Sequence, residues 1–211
     1  VFNISKVGKV AGCMVTEGRV KRGGMLRADV EGNYPITADE ILADLRIEHR
    51  RRNGKLRSVD DLVSELSLRR DRGETVVFTN GVFDIMHPGH VAYLARARDA
   101  GSLLIVGMNS DRSVKQLGKG DERPINDEVF RATMLGALEC VDYVVIFEEP
   151  DPLSLIERVR PDVLIKGEDW ATRGVVGREF VESTGGRVSL VPLLEGYSTT
   201  SIVERIRNGR R

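Results

Sequence analysis

Cysteine is scarce in this chain: only Cys13 and Cys140 occur, far apart in sequence. That excludes a disulfide framework and any thiolate metal spacing, and it suits a reducing cytosol. Charge of one sign is lacking too, since 32 basic and 32 acidic residues leave a formal net charge of zero. Bulk attraction to nucleic acid or to an anionic membrane is therefore not expected, and any anion site must be local. No apolar run approaches the ~18 residues of a membrane span. The opening, Val1-Phe2-Asn3-Ile4-Ser5-Lys6, does not read as a signal peptide, and it starts on Val rather than Met, as a processed product or a fragment would. Two nucleotide fingerprints are missing: there is no G-x-x-x-x-G-K-S/T and no G-x-G-x-x-G. What remains is an ordinary soluble composition, 41% hydrophobic and 30% charged over 211 residues. That is room for one α/β domain with an appendage, and the expected location is the cytoplasm.

Histidine is rare as well, but its placement is informative. Two of the three histidines lie in His87-Pro88-Gly89-His90. The tetrapeptide follows an apolar run (Val76, Val77, Phe78) and the expected turn Asn80-Gly81-Val82-Phe83-Asp84. A strand that runs through a tight glycine turn into a helix start is where α/β proteins bind phosphates. Pro88 suits the first helical position, where its missing N–H would be unpaired anyway. Gly89 lets a ligand approach the backbone, and imidazoles three residues apart face the same side of the helix. Metal-binding histidines on a helix are usually spaced i, i+4 and need a third ligand, for which Asp84 is the candidate here. Phosphate chemistry is the reading adopted, and a metal pair or a merely structural pair are its alternatives.

From about Glu74 onward, strand-like and helix-like segments alternate. Strands are expected at Thr75 to Thr79, Leu103 to Met108, Tyr143 to Phe147, Asp162 to Lys166 and Arg187 to Val191. Helices are expected at His87 to Ala100, Asp127 to Glu139, from after Pro150 to Val159, Gly177 to Thr184 and Ser198 to Arg207. Val91, Leu94 and Ala95 are read as the buried face of the first of these. The alternation predicts an α/β fold, a Rossmann-like parallel sheet with helices on both faces. Ligands of such sheets bind beyond the carboxyl ends of the strands.

The expected order is a β-hairpin extension over 1–33, a helical linker over 34–70 and the α/β domain over 71–211. The hairpin runs Ala11 to Thr16, Glu17-Gly18, then Arg19 to Lys21. Thr37 with Glu40 makes a capping-box pattern, and Ser58 caps a helix whose Val59, Leu62, Val63 and Leu66 share one face. Arg50-Arg51-Arg52 reads as a solvated helix end, with RNA binding as the alternative.

Further segments point to the same sheet edge. Gly196-Tyr197-Ser198-Thr199-Thr200 opens the last helix. Its three hydroxyls can cap the helix, or can join free N–H groups in holding a polyphosphate. Lys115, Lys119 and Arg123 lie in an expected glycine-bearing loop, which is either merely solvated or a cationic lid over a triphosphate. Lys166-Gly167-Glu168-Asp169-Trp170 follows a strand, and Trp170 can stack on a base or fill a core.

Thr79-Asn80-Gly81-Val82-Phe83-Asp84, His87-Pro88-Gly89-His90, Asn109-Ser110-Asp111, Arg123-Pro124-Ile125-Asn126 and Gly196-Tyr197-Ser198-Thr199-Thr200 together resemble the cytidylyltransferase-like nucleotidyltransferases. The likeness covers about residues 56–207. It is closest to the adenylyltransferase domain that makes ADP-heptose and pyrophosphate from ATP and a sugar 1-phosphate, D-glycero-β-D-manno-heptose 1-phosphate. The resemblance implies that His87 and His90 bind the nucleotide phosphates and stabilise the transition state. It implies that Ser198, Thr199 and Thr200 hold the triphosphate and that Lys166 helps form the nucleotide pocket. Lys115 and Arg123 would screen the two anions, and Asp84 would orient the acceptor or the turn. Asn80, Gly81, Val82, Phe83, Gly89, Asn109, Gly167 and Asp169 complete the implied nucleotide-binding set. No protein metal site is implied, and Mg²⁺ would arrive on the triphosphate. The sequence does not fix the oligomer; the resemblance implies that a homodimer, common in the family, is one option.

Two residues separate relatives. Leu193 stands where glycerol-phosphate-type cytidylyltransferases carry Arg, and Lys166 stands where they usually lack Lys; both match the heptose type. Val82 replaces the usual Cys, and the loop at Gly118 to Glu122 is one residue longer than in many members, which bears on Lys115 and Lys119. Residues 1–27, through Val7-Gly8-Lys9-Val10-Ala11-Gly12-Cys13-Met14-Val15-Thr16-Glu17-Gly18, resemble the first strands of the C-terminal barrel of bacterial translation initiation factor two. Those strands alone do not close a barrel, so no function is carried over, and a gene-boundary fusion or a grafted tail explains them. Two other functions stay open at this point: a cytidylyltransferase acting on an alcohol phosphate such as glycerol 3-phosphate, and a translation-factor-like RNA or tRNA binder. Zero net charge speaks against the second.

Overall fold

The structure is a computed structural model and describes residues 54–118 and 122–209. The expected hairpin, the Thr37–Glu40 helix start, Arg50-Arg51-Arg52 and Lys119 lie outside these residues.

Five strands form one sheet: β1 (Val76–Gly81), β2 (Leu103–Asn109), β3 (Tyr143–Phe147), β4 (Val163–Gly167) and β5 (Arg187–Val191). Their order is β3-β2-β1-β4-β5, and every pairing is parallel. The chain builds outward from β1 in one direction, then crosses back to place β4 on its other side. The sequence order therefore reverses between β1 and β4, which makes the crevice above their carboxyl ends the topological switch point.

Side chains alternate across each strand, so the sheet has two apolar faces. Phe78, Ile105, Val145 and Leu164 point into one core, with Leu62 and Leu66 of α1 (Val59–Asp71), Leu155, Ile156 and Val159 of α5 (Leu153–Val159), and Val181 of α6 (Arg178–Ser183). Val77, Leu104, Val106, Val144 and Ile165 point into the other, against Tyr93, Leu94 and Ala97 of α2 (Pro88–Arg98) and Ala132 and Leu135 of α4 (Glu128–Gly136). Each such buried aliphatic side chain contributes about 2 kcal/mol by area.

The Ser58 hydroxyl accepts from the Asp61 N–H at 3.1 Å and starts α1 as expected. The linker before α1 also joins the sheet: Val144 N donates to Lys55 O at 2.8 Å and Arg57 N to Val144 O at 3.0 Å. That covers part of the edge of β3, so residues 54–71 share the α/β core rather than only leading into it.

Three expectations need correction. The buried face of α2 is Gly89, Tyr93, Leu94 and Ala97, while Val91 is 43% exposed and Ala95 also faces solvent. Tyr93 takes the buried place because its hydroxyl meets Thr79 Oγ1 at 2.6 Å and the Ile165 carbonyl at 3.2 Å beneath the sheet edge. β1 runs on to Gly81, so Asn80 and Gly81 are strand residues and the turn begins at Val82. Lys115 lies on a short helix, α3 (Asp111–Gln116), not in a loop; the Ser110 hydroxyl caps it by accepting from Ser113 N at 3.0 Å. No helix among the described residues is long and apolar enough to cross a membrane.

Candidate active site

The His87-Pro88-Gly89-His90 turn stands directly above the carboxyl end of β1. His87 is the N-cap of α2, with extended backbone, and its Nδ1 accepts from the His90 N–H at 3.3 Å. Pro88 takes the first helical position, as its fixed φ favours. The two imidazoles stack with centroids 3.7 Å apart and planes 18° apart. Phe83 meets His90 edge-on, centroids 5.2 Å apart. Phe83 has a φ of 50°, a left-handed conformation that costs a bulky residue strain, and a Cβ at Gly81 would lie 3.0 Å from its ring. Glycine at 81 thus lets the ring fold back beneath the histidines.

The hydrogen bond to His87 fixes its tautomer. Nδ1 is an acceptor, so the neutral ring carries its proton on Nε2, which is left to donate to a ligand. Burial lowers the pKa of His87, and it lowers that of His90 to about 4, with the neighbouring His87 adding to the shift and the Ile85 backbone opposing it. Burial thus favours the neutral, hydrogen-bonding form of both rings. His90 Nδ1 is buried with no hydrogen-bond partner among the described residues.

The start of α7 (Thr199–Arg207) reaches this turn from the β5 side. The Tyr197 ring lies 6.5 Å from that of His87, nearly parallel. A Cβ at Gly89 would sit 3.0 Å from His87 Nδ1 and 3.2 Å from Tyr197 Cβ, so only glycine admits both neighbours without displacing one. The Ser198 hydroxyl accepts from Ser201 N at 3.0 Å in a reciprocal capping box, which leaves Thr199 and Thr200 as the first two helical residues. The capping reading of Ser198 holds, and its place beside the histidine turn also suits the anion-binding reading.

Across the switch crevice, Lys166 of β4 is 5% exposed, and its Nζ donates to Asn80 Oδ1 of β1 at 2.5 Å. The same ammonium lies 5.0 Å from the centroid of the Trp170 ring. Trp170 ends a short 3₁₀ turn, Glu168–Trp170, and packs partly on the core. At Gly167 a Cβ would lie 2.5 Å from Asp169 Oδ1 and 2.9 Å from Leu193 Cδ2. Lys166, Gly167, Asp169 and Leu193 are therefore gathered at one point beside β1.

A third group of residues ties the front of the sheet together. Asp84 is 3% exposed. Its Oδ1 accepts from the backbone N–H groups of Ile125 and Asn126, both at 2.9 Å, and its Oδ2 pairs with Arg123 at 2.9 Å. Its carboxylate thus orients the Arg123–Asn126 segment. Asn109 Nδ2 donates to Ser113 Oγ at 2.9 Å, inside α3. Lys115 is exposed in the last turn of that helix.

Arg131 was not singled out in the sequence, and it is the residue that joins these segments. Its side chain is fully buried. It donates to the carbonyls of Asn126 (3.0 Å), Val82 (2.8 Å) and Asn109 (2.8 Å) and pairs with Asp111 (2.7 Å). A signal existed: Arg131 shares the apolar stripe of α4 with Ala132, Leu135 and Gly136, and a charge on the buried face of a helix needs partners.

A five-stranded parallel sheet with helices on both faces and a strand-order reversal between β1 and β4 places the chain in the doubly wound α/β class. The Cytidylyltransferase-like family profile matches residues 78–205, more than half of the chain, and the chain belongs to that family. Similar proteins include the bifunctional protein HldE of Geotalea uraniireducens, 49% identical over 178 residues, which take in 84% of this chain and 36% of that protein. The bifunctional protein HldE of Nitrobacter hamburgensis is 55% identical over 148 residues, 70% of this chain and 30% of that protein. The chain thus spans about a third of the length of the curated relatives it matches. A lipopolysaccharide core biosynthesis protein from Thermoplasma volcanium superposes with a TM-score of 0.49 at 29% identity, over 60% of this chain and 100% of that one.

Proposed function

We propose that this chain is a nucleotidyltransferase that moves AMP from ATP to a sugar 1-phosphate, heptose 1-phosphate, with release of pyrophosphate. The observation that carries the reading is the stacked His87–His90 pair at the start of α2, with the start of α7 beside it. Similarity to the bifunctional protein HldE, and the resemblance at Lys166 and Leu193 to the heptose type, support the choice of an adenylyl donor and a heptose-type acceptor.

In this reaction an oxygen of the acceptor phosphate attacks the α-phosphorus, and the bond to the bridging oxygen of the β-phosphate breaks. Pyrophosphate leaves with the electron pair. The nucleophile is already anionic near neutral pH, so no general base is required. The barrier lies in bringing two anions together and in charge growing on the α-phosphoryl oxygens. His87 Nε2–H and the His90 ring donate to those oxygens. A neutral imidazole whose pKa rises as negative charge accumulates beside it binds the transition state better than the ground state. Thr199 and Thr200, with their backbone N–H groups, hold the β- and γ-phosphates, and Ser198 keeps that helix start capped. Lys166 and Asn80 border the nucleoside side with Gly167 and Asp169. Lys115 and Arg123 screen the anions. Mg²⁺ belongs to the substrate, as Mg·ATP. The unit extends to residue 211 from a start near residue 71, with the preceding helix packed on it, and it works in the cytoplasm.

The test is steady-state pyrophosphate release from ATP and heptose 1-phosphate, with CTP and glycerol 3-phosphate as competing substrates. The parent is expected to prefer ATP with heptose 1-phosphate, and His90→Ala to lower kcat by about 100-fold or more. Preference for CTP, or a His90→Ala rate within a few-fold of the parent, would overturn the reading.

A further inference from the structure

We propose that Arg131 is a positioning residue of this reaction: its buried guanidinium sets where α3, with Lys115, and the Arg123–Asn126 segment stand relative to the histidine turn. The inference rests on the proposed nucleotidyl transfer.

Burying a guanidinium costs several kcal/mol in lost hydration, and an apolar side chain of similar volume would often pack as well or better. Stability alone therefore gives little reason for an arginine on the buried stripe of α4. Its hydrogen bonds give another. Three of its four acceptors are backbone carbonyls, and each belongs to a different strand end or loop of the site. Val82 opens the turn from β1 to the histidines, and Phe83, with its strained backbone, follows it. Asn109 ends β2, one residue before the cap of α3. Asn126 lies one residue before the cap of α4, and its N–H is held by Asp84. The fourth acceptor, Asp111, is the first residue of α3, and its own N–H donates to Glu128 Oε2 at 2.9 Å.

Nothing but arginine offers this pattern. A planar fork with five N–H donors reaches acceptors on both sides at once, whereas a lysine ammonium is a single point. Arg131 and Asp84 form two linked anchors, since both grip Asn126 and both bear on the turn after β1. Arg123, bonded to Asp84, and Lys115, carried on the helix that begins at Asp111, are the two cations assigned to screening the reacting anions. Their placement passes through Arg131, though Arg131 itself is too deeply buried to meet a substrate.

The experiment compares the parent with Arg131→Lys and Asp111→Asn, using thermal melting, kcat and KM for ATP in the pyrophosphate assay, and amide hydrogen exchange. A misplacement of about 1 Å can cost on the order of 100-fold in rate. Arg131→Lys is expected to lower kcat per folded molecule by about that factor while KM for ATP moves by less than about fivefold. Asp111→Asn, which keeps an acceptor oxygen but removes the counter-charge of the buried guanidinium, is expected to lower the melting temperature by several degrees and kcat per folded molecule by about tenfold. Exchange should rise at residues 109–116 and 122–127 in both variants before it rises in β1 or β4. A purely structural role would lower the melting temperature and the folded fraction but leave kcat per folded molecule within about threefold of the parent. That outcome, or unchanged exchange in those two segments, overturns the inference. Should Arg131→Lys not fold, Asp111→Asn decides alone. A parent that releases no pyrophosphate refutes the functional reading instead, and the exchange data still judge the positioning.

Discussion

The two helix starts that face each other across the site, α2 and α7, are backed by different amounts of protein. Behind α2 stand Tyr93, Leu94 and Ala97, all buried against the sheet, and the Tyr93 hydroxyl is bonded to both β1 and β4. Behind α7 there is no fully buried side chain at all, and Ile206 is 71% exposed. The α7 end of the chain is held by ring contact with His87, by Arg96 donating to the Pro192 carbonyl at 2.6 Å, and by an exposed ion pair between Arg207 and Glu122. Elements with few buried contacts open locally at low cost. Under the proposed reaction, the histidines, which would meet the α-phosphorus in one geometry, belong to the rigid wall. The triphosphate tail, which would need only a cradle, would fall to the adjustable one.

The comparison predicts unequal damage. The largest effect is expected on the rigid wall: Gly89→Ala puts a methyl group 3.0 Å from His87 Nδ1 and 3.2 Å from Tyr197 Cβ, so one of them must move. Activity should fall by about 100-fold while the melting temperature stays within a few degrees of the parent. An active Gly89→Ala enzyme would show that the imidazole geometry tolerates displacement. Next comes Ser198→Ala on the adjustable wall. Loss of the cap costs about 1 kcal/mol locally. It should appear as a rise of about fivefold in KM for ATP with little change in kcat, whereas a kcat loss matching that of Gly89→Ala would erase the distinction between the walls.

Acid separates the walls in another way. Burial holds His90 near 4, against its ordinary value of 6.5. Between those values the unfolded chain takes up a proton that the folded chain refuses, so stability must fall as pH drops from 6.5 towards 4 and stay level above about 7. Melting curves across that range should show the decline in the parent and a weaker one in His90→Asn. The smallest effect is expected for Arg207→Ala. Both partners of that pair are largely exposed, 61% and 73%, and an exposed pair contributes about 0–1 kcal/mol. Its removal should leave kcat unchanged and shift melting by no more than a degree or two.

What could be read from sequence follows the same division. Strand and helix order was legible because apolar periodicity decides it, and so was the histidine turn, where Pro88, Gly89 and the N-cap position of His87 are local signals. The Ser58 and Ser198 caps were legible for the same reason. Long-range partners were not. Nothing local pairs Lys166 with Asn80, or Asp84 with residues 123–126, because β4 meets β1 only after the chain has crossed back. The face of α2 was misread because Tyr93 counts as amphipathic in sequence but is buried by two hydroxyl contacts made through the fold. α3 was missed because six residues are too few for a periodic pattern, although Ser110 before Asp111 was a usable start signal. Arg131 was overlooked because it stood among apolar residues without a visible partner. The lowered pKa of the histidines depends on burial and, for His90, on the charge of the neighbouring His87, which only the folded structure supplies.

The neutral, phosphate-responsive histidine pair is the centre of this proposal, and an NMR titration of the His90 ring in the free protein and with Mg·ATP tests it directly. The expected midpoint is about 4 in the free protein, rising when the triphosphate is bound as negative charge comes to lie beside the ring. A midpoint near 6.5 that nucleotide does not move would contradict it.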